Sequence, residues 1–193
     1  MQRMTEKTGT STITLLGLQA ALVALAWVWM FRLNAWVFAA TSVNQYVAWI
    51  FLPAGLRILS VLVLRWPAVL GLFVGAFATA NHQQAGDWPD QLVVAAISGL
   101  GPYVSVTLGQ RLMGLQSALE QLQPRHLLLF SMLGAACNAI ATNLEQYLAR
   151  GQAHALDLAA IMFCGDMLGT VIVLYVAQLV LLAVDKMLAQ RRR

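Results

Sequence analysis

Long apolar runs broken by short polar punctuation dominate the chain. Residues 13–31 form an apolar stretch of 19 residues in which only Thr14 and Gln19 are polar, close to the ~20 residues that a helix needs to cross the hydrocarbon layer. The stretch predicts a first membrane span and is longer than a signal-peptide core, so it reads as a retained anchor. Residues 34–44 (NAWVFAATSVN) carry no charge and place Trp36 near Trp27 and Trp29, the pattern of an outer interfacial segment.

The same pattern predicts five more spans, over 45–64, 67–80, 91–108, 126–147 and 158–184. Arg65-Trp66-Pro67 makes the turn between the second and third. Gly71 and Gly75 stand at the GxxxG spacing that lets helices approach closely. Residues 81–90 and 148–157 read as loops. Gly99, Gly101 and Pro102 fall inside the fourth span and predict a kink or an unwound turn there. Residues 110–123 place Leu112, Leu115, Leu119 and Leu122 on one helical face with polar residues elsewhere, which predicts an amphipathic helix lying in the interface. The expected fold is an all-α membrane protein: a polar N-terminal segment (1–12), a bundle of about six transmembrane helices with one interfacial helix (13–184), and a basic tail (185–193).

Composition agrees. Hydrophobic residues make up 60% of the chain and charged ones 10%, with a mean hydropathy of +0.70, against roughly 25% charged in an ordinary soluble domain. A soluble globular domain and a disordered chain are both excluded. The net charge of +4 and pI near 9.5 acquire meaning by position. With six spans, Arg3, Lys7, Arg65, Arg111, Arg125, Lys186 and Arg191 to Arg193 fall on one side, and only Arg32 and Arg150 on the other. That bias places both termini in the cytoplasm, and the basic pI reports topology rather than a nucleic-acid partner. Cys137 and Cys164 lack Cys-x-x-Cys spacing, so neither a disulfide framework nor a zinc site is expected.

Two charges fall at membrane depth. Arg57, about 18 Å into the second span, and Asp166, about 14 Å into the sixth, would each cost at least about 2.5 kcal/mol facing lipid. A polar layer is expected in which Arg57 pairs with Asp166, with Asn138 and Tyr103 as hydrogen-bond partners. Three readings of that layer stay open: a lock between the second and sixth helices, a site where Arg57 holds a polar or anionic ligand, and a proton relay through Asp166. Asn143 and Glu145 stand at the outer end of the fifth span as a solvated helix end or the rim of an entrance. His82, His126 and His154 are too scattered to share a metal, and no nucleophile–base set or phosphate loop is present. No enzyme activity, cofactor or metal is expected.

Residues 49–59 (WIFLPAGLRIL), 70–77 (LGLFVGAF), 95–112 (AAISGLGPYVSVTLGQRL) and 162–174 (MFCGDMLGTVIVL), with its Gly-Asp-x-x-Gly, carry a resemblance. In this order they resemble the first type of membrane-associated sensor domain, the N-terminal membrane part of many bacterial histidine kinases and diguanylate cyclases. The resemblance covers about 49–182 and implies family-pattern roles for Pro53, Gly55, Gly165, Asp166 and Gly169, with Arg57 in a Pro-Ala-Gly-Leu-Arg subset. It implies a multi-pass sensor in a bacterial inner membrane, in contact with lipid and signalling to a separate protein, since no output domain follows the sixth span. Two other functions fit six spans: the substrate-binding subunit of a small-molecule transporter, and a structural or assembly subunit of a larger membrane complex.

Overall fold

The structure, a computed structural model, describes residues 2–41, 48–80, 87–114, 124–150 and 155–191. Its helices are α1 (Gln2–Val37), α2 (Pro53–Leu64), α3 (Trp66–Thr79), α4 (Trp88–Met113), α5 (Pro124–Arg150) and α6 (Ala155–Arg191), with a 3₁₀ turn at Ala39–Thr41, and the described residues contain no strand. Among the described residues, four helices contain stretches long and apolar enough to cross a membrane: Thr12–Val37, Trp88–Met113, Arg125–Leu148 and Leu158–Val180. The chain is therefore a helical membrane protein. Helices α2 and α3, with 12 and 14 residues, reach only about 18 and 21 Å.

Helix α2 is the hub, in contact with each of the other five helices. Its composition explains the position: Pro53, Ala54, Gly55, Arg57, Ile58, Ser60, Val61 and Leu62 are all buried, so apolar and small side chains cover most of its circumference instead of a single stripe. Around it Val23, Trp27, Ile58, Val61, Leu72, Val106 and Phe130 form one continuous core. The GxxxG pair of α3 seats α1, since a Cβ at Gly71 would strike the Ala20 carbonyl and one at Gly75 would lie 2.8 Å from the Trp27 Cβ.

Several boundaries differ from the sequence reading. The second span is helical only from Pro53. Residues 48–52 are non-helical and lie against α6, while 45–47 are outside the described residues. Pro53 sits in the first turn of α2, where its missing N–H costs nothing. The preceding backbone is satisfied elsewhere: Phe51 N–H donates to the Gly165 carbonyl (3.1 Å) and Leu52 N–H to Asn34 Oδ1 (2.8 Å). Ala54 and Gly55 N–H donate to the Phe51 and Leu52 carbonyls. Non-helical backbone packed against a helix is tolerated when its polar groups find partners in this way.

Of the kink or unwound turn expected in the fourth span, the unwound turn is absent: α4 is helical through Gly99, Gly101 and Pro102 to Met113. Tertiary contact supports α4, with Gly99 packed on the α3 backbone at Val69 and Gly109 on Phe130, and within the helix Ser105 Oγ donates to the Gly101 carbonyl. The predicted interfacial helix over 110–123 is not separate at its start, because 110–113 continue α4 and Gly114 ends it at φ 63°. Residues 115–123 lie outside the described residues. Helices α1, α5 and α6 each extend beyond the predicted spans, with α1 continuing through Val37 instead of ending at Phe31.

Between α2 and α3, Arg65 holds φ 59° and ψ −122°, a conformation costing a non-glycine residue about 1–2 kcal/mol. Its Nη1 donates to Gln110 Oε1 of α4 (3.2 Å). Arg65→Gly and Arg65→Ala both lose that bond, but only glycine relieves the backbone. We expect the glycine variant to be the more stable of the two by about 1–2 kcal/mol in detergent unfolding, the reverse of their order inside an ordinary helix.

Candidate functional site: a buried arginine–asparagine–aspartate centre

Three helices bring one polar side chain each to a single point. Arg57 stands one turn into α2, Asn138 midway along α5 and Asp166 on α6, beside Gly165 and Gly169. Arg57 and Asp166 are 4% and 2% exposed, so the charges are withdrawn from both lipid and water.

The three groups close a triangle. Arg57 Nη1 donates to Asn138 Oδ1 at 2.6 Å, Asn138 Nδ2 donates to Asp166 Oδ2 at 2.6 Å, and Arg57 Nη2 reaches the same Oδ2 at 3.4 Å. Charge-assisted N–H···O bonds favour about 2.7–2.9 Å, so the direct ion pair is the slack side of the triangle and Asn138 its tight bridge. Both contacts on the carboxylate converge on Oδ2.

Aromatic faces complete the arginine's surroundings. The guanidinium carbon lies 5.6 Å from the Trp27 ring centre and 5.5 Å from that of Phe51, within cation–π range. Trp27 is itself fixed by an indole N–H bond to Thr79 Oγ1 of α3 (3.0 Å). Arg57 thus touches α1, the 48–52 segment, α5 and α6, and any change in its partners is felt by all four. Thr170 Oγ1 donates to the Asp166 backbone carbonyl one turn earlier.

A cavity adjoins the triangle, bordered by Gly101 and Pro102 of α4 and Gly134 of α5 as well as by Arg57, Asn138 and Asp166. Its volume, about 10 Å³, is the space of a single water. An organic ligand does not fit without displacing part of the network.

Of the residues expected in the polar layer, Arg57, Asp166 and Asn138 meet, while Tyr103 does not join them. Its ring stacks on Trp66 of α3, with centroids 4.5 Å apart. Of the family-pattern positions, Pro53 starts α2 and Gly55 packs on Val173 of α6. Gly165 and Gly169 give the 48–52 backbone room to approach α6, because a Cβ at either would strike the carbonyl oxygen of Ala48 or Phe51. Asn143 is buried, with its Nδ2 donating to the Ala139 carbonyl and its Oδ1 without a partner among the described residues. It is not the solvated helix end that its position implied.

The sequence reading missed Trp27, Phe51 and Asn34. Trp27 was grouped with interfacial tryptophans, yet it is 1% exposed where Trp29 and Trp36 are 75% and 81%. The signal was a stripe on α1: Val23, Trp27 and Asn34, four and seven residues apart, share one helical face. No family model matches the chain, and no curated protein or solved structure matches it.

Proposed function

We propose that the chain is a multi-pass membrane sensor or regulatory module, in the manner of the sensor domains that its sequence resembles, with four full spans and an α2–α3 hairpin that enters from the outer side. The reading places both termini in the cytoplasm of a bacterial cell. A small polar or anionic ligand competes with Asp166 for Arg57, and a separate protein receives the signal.

The observation that carries this reading is the triangle itself. A guanidinium, held slackly by its counter-ion and tightly by a neutral amide, sits beside a cavity too small for any anion larger than water. An anion that binds Arg57 therefore has to displace Asp166, so its affinity differs between the closed arrangement and an opened one. That difference is what a ligand needs in order to shift a conformational equilibrium. Asp166 lies on the longest helix, α6, of 37 residues, which offers a rigid route from the centre to its far end.

The test is a distance measurement. Spin labels at Val74 and Val184, both exposed, would be placed in a protein with Cys137 and Cys164 replaced by alanine. The separation would be followed while formate, acetate, bicarbonate and phosphate are added. At least one anion should shift the distance distribution in the parent and leave the Arg57→Gln variant unmoved. A response that survives Arg57→Gln, or none with any of the four, defeats the reading.

A further inference from the structure

The charge balance of the polar centre bears on the form in which a ligand reaches it. The centre matches one guanidinium to one carboxylate, and both are buried. Around the carboxylate and the cavity beside it, α2 presents Arg57, α5 presents Asn138 and Gly134, α4 presents Gly101 and Pro102, and α6 itself presents Thr170. Residues 48–52, packed on α6, hold no titratable side chain. A bare anion that took Arg57 from Asp166 would therefore set two negative charges against one positive charge in a site withdrawn from water. Burial disfavours an uncompensated charge far more than it disfavours a neutral molecule. The same holds on the way in, since an ion has to leave its hydration shell behind to enter a bundle of apolar helices.

We infer that the centre binds a small carboxylic acid as the neutral molecule, so that each carboxylate held by Arg57 brings one proton to Asp166. The balance closes within the site. The acid's O–H bond breaks, its proton passes to the Asp166 carboxylate, and the ligand carboxylate so formed takes the guanidinium. Arg57 keeps one negative partner throughout. The new Asp166 O–H donates to a ligand oxygen, a short charge-assisted bond of acid to carboxylate. Asn138 suits both states, because its amide carries a donor for the ionised Asp166 and an acceptor for the protonated one. The ligand class follows from the geometry. The ligand enters at the slack 3.4 Å contact of Arg57 Nη2, and the planar fork of a guanidinium matches a carboxylate. A cavity of about 10 Å³ leaves little room for a chain beyond that group. Inorganic phosphate carries more than one negative charge near neutral pH and would need a second proton acceptor. The inference rests on the reading of Arg57 as an anion site and adds the proton to it.

The experiment is isothermal titration calorimetry of the purified full chain in neutral detergent, with formate, acetate and phosphate as ligands. Two buffers of different ionisation enthalpy give the number of protons taken up per ligand bound. Between about pH 6.5 and 8.5 formate is an anion in water, so the parent should take up one proton per formate, and its apparent affinity should fall about tenfold for each unit by which the pH rises. Asp166→Asn should bind formate with no proton uptake and with one affinity across that range, since its neutral amide leaves Arg57 to a bare anion. Far-UV circular dichroism identifies a variant that has failed to fold, and the proton count of the parent then decides alone. Formate bound without proton uptake overturns the inference and leaves Arg57 as an anion site. So does proton uptake that persists in folded Asp166→Asn, or binding of phosphate but of neither carboxylate. If none of the three ligands binds, the inference and the anion site fall together.

Discussion

Arg57→Gln and Asp166→Asn are each expected to destabilise the protein by about 3–5 kcal/mol, the range found when one member of a buried ion pair is removed and the other is left uncompensated. The environment supports the upper part of that range. Each group is nearly inaccessible, so a charge that loses its partner stays buried. The double variant should cost clearly less than the sum of the singles, because the charge that each single strands is gone and a neutral amide network with Asn138 remains possible. Reversible unfolding in detergent of the four proteins gives the coupling energy directly. Additivity within about 0.5 kcal/mol would mean that the two charges do not interact. Asn138→Ala is the informative third position. It leaves the charge pair in place but removes the two 2.6 Å bonds, so a cost approaching that of the charge variants would identify the amide, not the ion pair, as the main tie between α2, α5 and α6.

Depth made that centre legible before any coordinates. Counting 1.5 Å per residue from the ends of apolar runs placed Arg57, Asn138 and Asp166 at one level, and burial energetics required the two charges to meet. The same count included Tyr103 and was wrong, because depth specifies a layer and not a direction within it. Tyr103 lies on the side of α4 that faces Trp66 of α3. Helix ends were harder to place. Apart from Pro53, which suits a first helical turn better than a helix interior, the apolar run over 45–64 has no feature that separates a helix over its whole length from one that begins at residue 53. What decides is outside the run: Gly165, Gly169 and Asn34, distant in sequence, supply the clearance and the acceptor that the non-helical backbone of 48–52 needs. Conversely, Pro102 does not unwind its helix: α4 is continuous through it, with packing from α3 at Gly99 and from α5 at Gly109 on either side.

That dependence of 48–52 on α6 sets the second large expectation, for a change of one methyl group. A Cβ at Gly169 would overlap the Phe51 carbonyl and stand 2.9 Å from the Leu52 nitrogen. Both are backbone atoms that no rotamer change can move aside. Gly169→Ala should therefore drive the segment off α6 and strain the Phe51 N–H bond to Gly165. It should also shift the Phe51 ring from Arg57, at a cost of about 3 kcal/mol or more, the upper end of overpacking penalties. Helix propensity alone argues the opposite sign, since alanine is better than glycine inside a helix by about 1 kcal/mol. Gly17, with open space around it on α1, isolates that opposing effect, and Gly17→Ala should be neutral or stabilising. Thermal unfolding of the two variants side by side distinguishes packing from propensity. If Gly169→Ala behaves like Gly17→Ala, the close approach of the 48–52 segment to α6 is not real, and the path by which Phe51 and Leu52 reach the centre must be redrawn.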